Sequence, residues 1–135
     1  MEYLRLMIDT ALVVLIWLVQ LIIYPSFRCI EKGKFQEWHH TYTRSISILV
    51  FPLMLFQLAT YLWALLVEHS WYFLGSMVLL AGLWIHTFFL SAPIHFKLGV
   101  TAYDLTKVNR LIRLNWWRVA GWNLVWVMSL YKIYC

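Results

Sequence analysis

The sequence predicts an all-α, polytopic membrane protein, on three observations. Of the 135 residues, 63% are hydrophobic and 13% charged, which is more apolar surface than a globule of this length can hide. Four long apolar runs, near Ile8–Tyr24, Ser45–Val67, Trp71–Ala92 and Leu114–Lys132, suit a bilayer core about 30 Å thick. The runs are continuously apolar instead of alternating, which marks helices and not a barrel. The expected architecture is one domain over residues 1–135, a four-transmembrane-helix bundle. No low-complexity segment or domain boundary interrupts it.

The first helix is expected to end at Tyr24-Pro25-Ser26, because proline cannot donate the next helical hydrogen bond and turns the preceding residue away from helix. Asp9, Val13, Ile16 and Gln20 are spaced 4, 3 and 4 apart and so share one face. A lipid-facing Gln20 would leave its amide unsatisfied, so this face is expected to look inward. It serves either a site or interhelical hydrogen bonding.

After a short turn at Gly33, the second helix is expected to start near Lys34 in water and to enter the bilayer around Arg44. Phe35, Trp38, His39 and Tyr42 fall on one face, with Glu37, His40 and Arg44 on the solvated side. Gln57 follows His39 by eighteen residues, five whole turns, and lies on the same stripe. Pro52 removes one backbone bond and should bend the helix. Glu68-His69-Ser70 reads as a tight external turn with a solvated His69.

In the third helix, Gly75, Leu79, Gly82 and His86 are expected to form the inward stripe, the glycines letting a neighbouring helix approach closely. Pro93 is expected to end this helix, with Leu98 to Tyr103 as the connection. Asp104 is the expected N-cap of a long fourth helix carrying Lys107, Arg110 and Arg113. Trp116 and Trp117 suit one headgroup belt, Tyr131 and Tyr134 the other. Each half reads as a helix ended by proline, a basic connection and an over-long return helix. The fold therefore resembles two tandem helical hairpins.

The net charge of +5 follows the membrane rather than a nucleic acid. Arg28, Lys32, Lys34, Arg44, Lys97, Lys107, Arg110, Arg113 and Arg118 lie on one side and only Arg5 and Lys132 on the other. This nine-to-two bias predicts both long connections in the cytoplasm and both termini outside it, in a bacterial inner membrane. No basic aromatic surface exists apart from these connections, so nucleic acid is not an expected partner. The first apolar run lacks a small-residue cleavage site and carries its flanking charge after it, unlike a signal peptide. Cys29 and Cys135 are expected on opposite sides of the membrane, with no disulfide framework.

Counting 1.5 Å per residue brings several polar groups to similar depth. The expected site is a cytoplasmic-side cavity lined by Gln20, His86, Asn115 and Arg118, with His39, Tyr42 and His95 at its mouth. Ionisable groups at such depths are costly, so a function is the default reading. Each also has a plainer reading. Arg118 can snorkel to phosphate headgroups, His86 can bond across the helices, and His39-His40 can be a wet helix start. No carboxylate or thiolate joins the set, so no metal site is expected. A bis-histidine haem needs two opposed histidines at one depth, and His86 has no clear partner; no cofactor is expected, haem being the one alternative weighed. No nucleophilic triad or phosphate loop is present.

Pro93-Ile94-His95-Phe96-Lys97-Leu98, followed by Arg113-Leu114-Asn115-Trp116-Trp117-Arg118, resembles the anthrone-oxygenase-like family of small four-helix membrane proteins. That family carries a Pro-x-Asn-x-x-Leu segment before an Arg-x-Asn-x-x-Arg approach to the fourth helix; His95 stands where it has asparagine. Pro25, Phe35, His39, Tyr42 and Pro52 fit the first half. The resemblance implies an oxygen-using enzyme acting on a hydrophobic aromatic substrate without a known cofactor.

Two functions stay open on this reading. One is binding, with or without oxidation, of a flat hydrophobic molecule, His86 or His39 serving as base or donor and Asn115 and Arg118 holding an enolate or carbonyl oxygen. The other is a non-enzymatic accessory or assembly subunit, its aromatic surface meeting partner membrane subunits or further copies of itself. An open cavity favours the first, and self-paired polar groups in a closed core favour the second. Transport is a weaker third option, because no acidic residue is expected deep in a span and few helices are broken.

Overall fold

A computed structural model describes residues 1–134, and among them the chain is helical with no strand. Four helices follow one another: α1 over Glu2–Ser26, α2 over Phe35–Glu68, α3 over Trp71–Val100 and α4 over Leu105–Tyr134. The first three are long and apolar enough to cross a membrane. The fourth is interrupted by Lys107, Arg110, Arg113, Asn115, Arg118 and Asn123.

The connections follow from local chemistry. Lys34 starts α2 directly after the Gly33 turn. His69 closes α2 in the left-handed conformation, with φ 46°, and returns its N–H to the Leu65 carbonyl at 3.0 Å. Ser70 then caps α3, its Oγ accepting from the Tyr72 N–H at 3.2 Å. Asp104 caps α4 as expected, its Oδ1 accepting from the Thr106 N–H at 2.9 Å. Hydrogen bonding from Lys107, 3.3 Å away, holds the Asp104 carboxyl below the usual carboxylate range.

Pro93 does not end α3. Residues His86–Ser91 form a wider turn with i→i+5 bonding, and Pro93 falls in the first turn of the segment that continues to Val100. There its missing N–H costs nothing extra. A matching wide turn over Val19–Ile23 precedes Pro25 in α1.

Two apolar clusters hold the helices together. One gathers Leu12, Ile16, Met54, Tyr61, Phe73, Leu80, Leu83, Val119, Trp122 and Val125. The other, nearer the long connections, gathers Val19, Tyr24, Phe27, Phe35, Ile94, Leu98, Val108 and Leu111. The expected inward stripe of α3 is corrected here. Gly75 and Gly82 face outward with nothing near a would-be Cβ, and Phe73, Ser76, Leu80 and Leu83 are buried instead. The close helix approach is made by Gly121 of α4, where an added Cβ would stand 2.6 Å from Leu83 Cδ2. Large apolar side chains such as Trp71, Phe89 and Trp117 cover the outer surface, as expected for helices facing lipid.

Candidate functional site

Three polar groupings lie inside the fold. The first crosses α1 and α4. Asn115 Nδ2 donates to Gln20 Oε1 at 2.9 Å, and Arg118 Nη1 donates to Asn115 Oδ1 at 3.1 Å. Gln20 Nε2 reaches the Ile112 carbonyl at 3.4 Å. Asn115 and Arg118 are three residues apart, so both face α1. Arg118 is only 8% exposed, has no carboxylate within ion-pair distance among the described residues, and leaves Nε unpartnered.

The second grouping joins α1, α2 and α3 at the end nearer the long connections. Tyr24 Oη lies 2.9 Å from His95 Nε2, and His95 Nδ1 lies 3.0 Å from His39 Nε2. Phe27, fully buried, packs edge-on against His39 and Tyr42 with ring centres 5.6 and 5.5 Å apart. Phe35 stacks on His39 at 5.4 Å. Aromatic packing of this kind fixes ring orientation, so the two imidazoles meet through nitrogen atoms. Those two nitrogens share one proton and cannot both give lone pairs to one iron, so this pair as held does not fit a bis-histidine haem.

Between α2 and α3 opens a cavity of about 260 Å³. Its walls include Tyr42, Phe51 and Met54 from α2 and Phe88 and His95 from α3; Tyr24 and Arg118 complete it from α1 and α4. Phe51 and Phe88 are exposed on the outer surface, so the cavity opens sideways between these two helices. An enclosed apolar void of about 150 Å³ accepts benzene, so this open one has room for a larger molecule.

The expected seven-residue site is therefore divided. Tyr42, His95 and Arg118 line the cavity. Gln20 and Asn115 stand behind Arg118 and satisfy one another. His39 lies behind His95. His86 is not part of the wall, and both its ring nitrogens lack partners. It sits one turn beyond Leu83 just as Arg118 sits one turn before Gly121, and Leu83 and Gly121 touch. Counting residues along each helix could not say which side of each helix met the void. Tyr24 was missed, although it follows Gln20 by one turn and shares its inward face.

The third grouping surrounds a buried acid near the start of α1. Asp9 is 1% exposed. Its Oδ1 accepts from Gln57 Nε2 at 2.5 Å, and its Oδ2 accepts from Tyr61 Oη at 2.8 Å and from Ser129 Oγ. Arg5, one turn earlier, is buried with its guanidinium 4.8 Å from the Phe73 ring. Between this grouping and Arg118 lie Leu12, Ile16, Met54, Leu80 and Trp122, all nearly inaccessible. The polar groups thus form two separate islands with an apolar plug between them.

No group of three or more metal-ligating side chains occurs among the described residues. No family model, curated protein or solved structure matches the chain.

Proposed function

We propose that the four helices form a transmembrane bundle, arranged as two hairpins with both long connections in the cytoplasm. In this reading the cavity binds a flat hydrophobic molecule carrying an anionic or carbonyl oxygen. The observation that carries it is Arg118, a buried guanidinium on the cavity wall with a neutral partner only. Such a charge costs roughly 2.5–3.5 kcal/mol at the centre of a span, and an oxygen-bearing ligand would offset that cost through charge-assisted hydrogen bonds. Aromatic walls supply the apolar contact, and the gap at Phe51 and Phe88 supplies an entrance from the lipid phase. Oxidation of the ligand is the activity implied by the resemblance to the anthrone-oxygenase-like proteins.

One observation favours the second reading, a non-enzymatic accessory subunit. Gln20 and Asn115 satisfy each other, as structural polar groups do. The two readings separate on ligand content. Purification in mild detergent, native mass spectrometry and an absorption spectrum should find a bound aromatic or quinone-like molecule. A protein with an empty cavity, unable to take up such molecules, would favour the accessory role.

A further inference from the structure

The hydrogen bonds that run from the cavity wall into the fold end blindly. Tyr24 Oη, on the wall, meets His95 Nε2 at 2.9 Å, and His95 Nδ1 meets His39 Nε2 at 3.0 Å. Beyond them, His39 Nδ1 is buried with no partner. Gly99 packs beside it: a Cβ there would stand 3.7 Å from that nitrogen. No proton enters or leaves at this end, so the three side chains hold a standing arrangement of hydrogens.

A neutral imidazole has one donor and one acceptor nitrogen, so only two arrangements make both bonds. In the first, Tyr24 donates to His95 Nε2, His95 donates from Nδ1, and His39 keeps an N–H on Nδ1 that nothing accepts. In the second, His39 donates from Nε2 to His95 Nδ1, His95 donates from Nε2 to Tyr24, and the Tyr24 hydrogen is free. Two effects favour the second. It gives both rings the Nε2–H tautomer, the more stable form of a neutral histidine side chain. It also leaves a bare lone pair at the dead end, and an under-used buried acceptor is commoner in proteins than an orphaned N–H. The Tyr24 hydroxyl, with no other partner among the described residues, then donates into the cavity that it lines.

We infer that Tyr24 is a second donor to the ligand oxygen held at Arg118, with His95 and His39 as the positioning residues that aim it; the inference rests on the binding reading above. Arg118 lines the same cavity, and its charge reaches the Tyr24 hydroxyl. A guanidinium only donates, so it cannot take the Tyr24 hydrogen. Two groups that donate toward one space suit an oxygen that accepts twice and has no hydrogen of its own to place. This narrows the ligand class to ketones, quinones and carboxylates. Donors preset around the place of an oxygen cost no reorganisation when that oxygen arrives. His39 contributes without touching the ligand, by denying His95 the tautomer that would turn Tyr24 away.

Two measurements test this. The first needs no ligand. In wild-type protein labelled with ¹⁵N-histidine, nuclear magnetic resonance should find the proton of both His39 and His95 on Nε2. A proton on His95 Nδ1 would overturn the inference, because Tyr24 would then donate inward.

The second compares 2-acetonaphthone, a naphthalene carrying one ketone, with naphthalene, each measured against protein-free micelles. Tyr24→Phe should cut the preference for the ketone roughly three- to tenfold, the equivalent of one hydrogen bond. The carbonyl stretching band of the bound ketone should move to higher frequency in the same variant, because one donor is gone. An unchanged preference and an unmoved band in Tyr24→Phe would overturn the inference. If wild type showed no preference for the ketone, the binding reading would fail by itself, and the tautomers alone would decide whether Tyr24 donates into the cavity.

Discussion

Arg118 donates to the Asn115 side chain one turn back on the same helix, and finds there an amide oxygen instead of a carboxylate. The guanidinium is therefore positioned without being neutralised. Asn115→Asp supplies the missing charge in nearly the same shape. It should cost about 1–3 kcal/mol of thermal stability, because the buried Nδ2 donor to Gln20 Oε1 is lost and that oxygen is left unsatisfied. Retention of 2-naphthol should fall, because the guanidinium is then occupied. Calorimetry and ligand retention measured on the same preparation check both outcomes, and undiminished retention would contradict the role given to Arg118.

Asp9 joins α1, α2 and α4 through Gln57, Tyr61 and Ser129. Asp9→Asn replaces one of the two acceptor oxygens that take hydrogen bonds from Gln57, Tyr61 and Ser129 with an NH2 donor, leaving buried donors facing a donor. A loss of about 1–3 kcal/mol is expected, the cost of leaving a buried hydrogen-bonding group unsatisfied. Chemical unfolding in detergent measures it. A loss below about 1 kcal/mol would mean that the network is solvated or rearranged.

Gly121 and the outward glycines make opposite predictions. Gly121→Ala places a methyl group against buried Leu83 and should destabilise by about 1–3 kcal/mol, the range for overpacking. Gly75→Ala and Gly82→Ala meet open space and should be neutral or stabilising by up to about 1 kcal/mol through helix propensity. Thermal melts of the three variants compare them directly, and a tolerated Gly121→Ala would mean that α3 and α4 are less close than described.

Orientation is tested by single cysteines in a background with Cys29 and Cys135 replaced. A cysteine at His40 or Arg110 should react only after the membrane is permeabilised, and one at His69 should react without it. All three parent residues are exposed. The reverse pattern would place both long connections outside the cytoplasm and invalidate the charge-bias argument.

Much of the scaffold was legible in the sequence because helical period and capping are local. The Asp9–Gln20 face, the His39–Gln57 stripe and the Asp104 cap follow from spacing alone, and the structure has them. The face of α3 did not follow, because a helix apolar all round carries no period that marks its inner side. Pro93 misled because a wide turn one residue-pair earlier lets the helix run through it. The division of the site was hidden for a different reason. Tyr24, His95 and His39 meet across 71 and 56 residues of chain, and which nitrogen faces which is set by Phe27 and Phe35 packing, a tertiary fact. Asp9 was visible as a letter, but its partners Tyr61 and Ser129 lie 52 and 120 residues away.

The most direct test of the central claim compares 2-naphthol with naphthalene, which has the same rings and no oxygen. Binding of each is measured against protein-free micelles for wild type, Arg118→Lys and Arg118→Met. If Arg118 holds a ligand oxygen, wild type should prefer 2-naphthol by about tenfold or more, the equivalent of one hydrogen bond to a charged group. Arg118→Lys should keep part of that preference, since it retains the charge without the planar fork, and Arg118→Met should abolish it while still binding naphthalene. An equal preference for 2-naphthol in wild type and Arg118→Met would contradict the account.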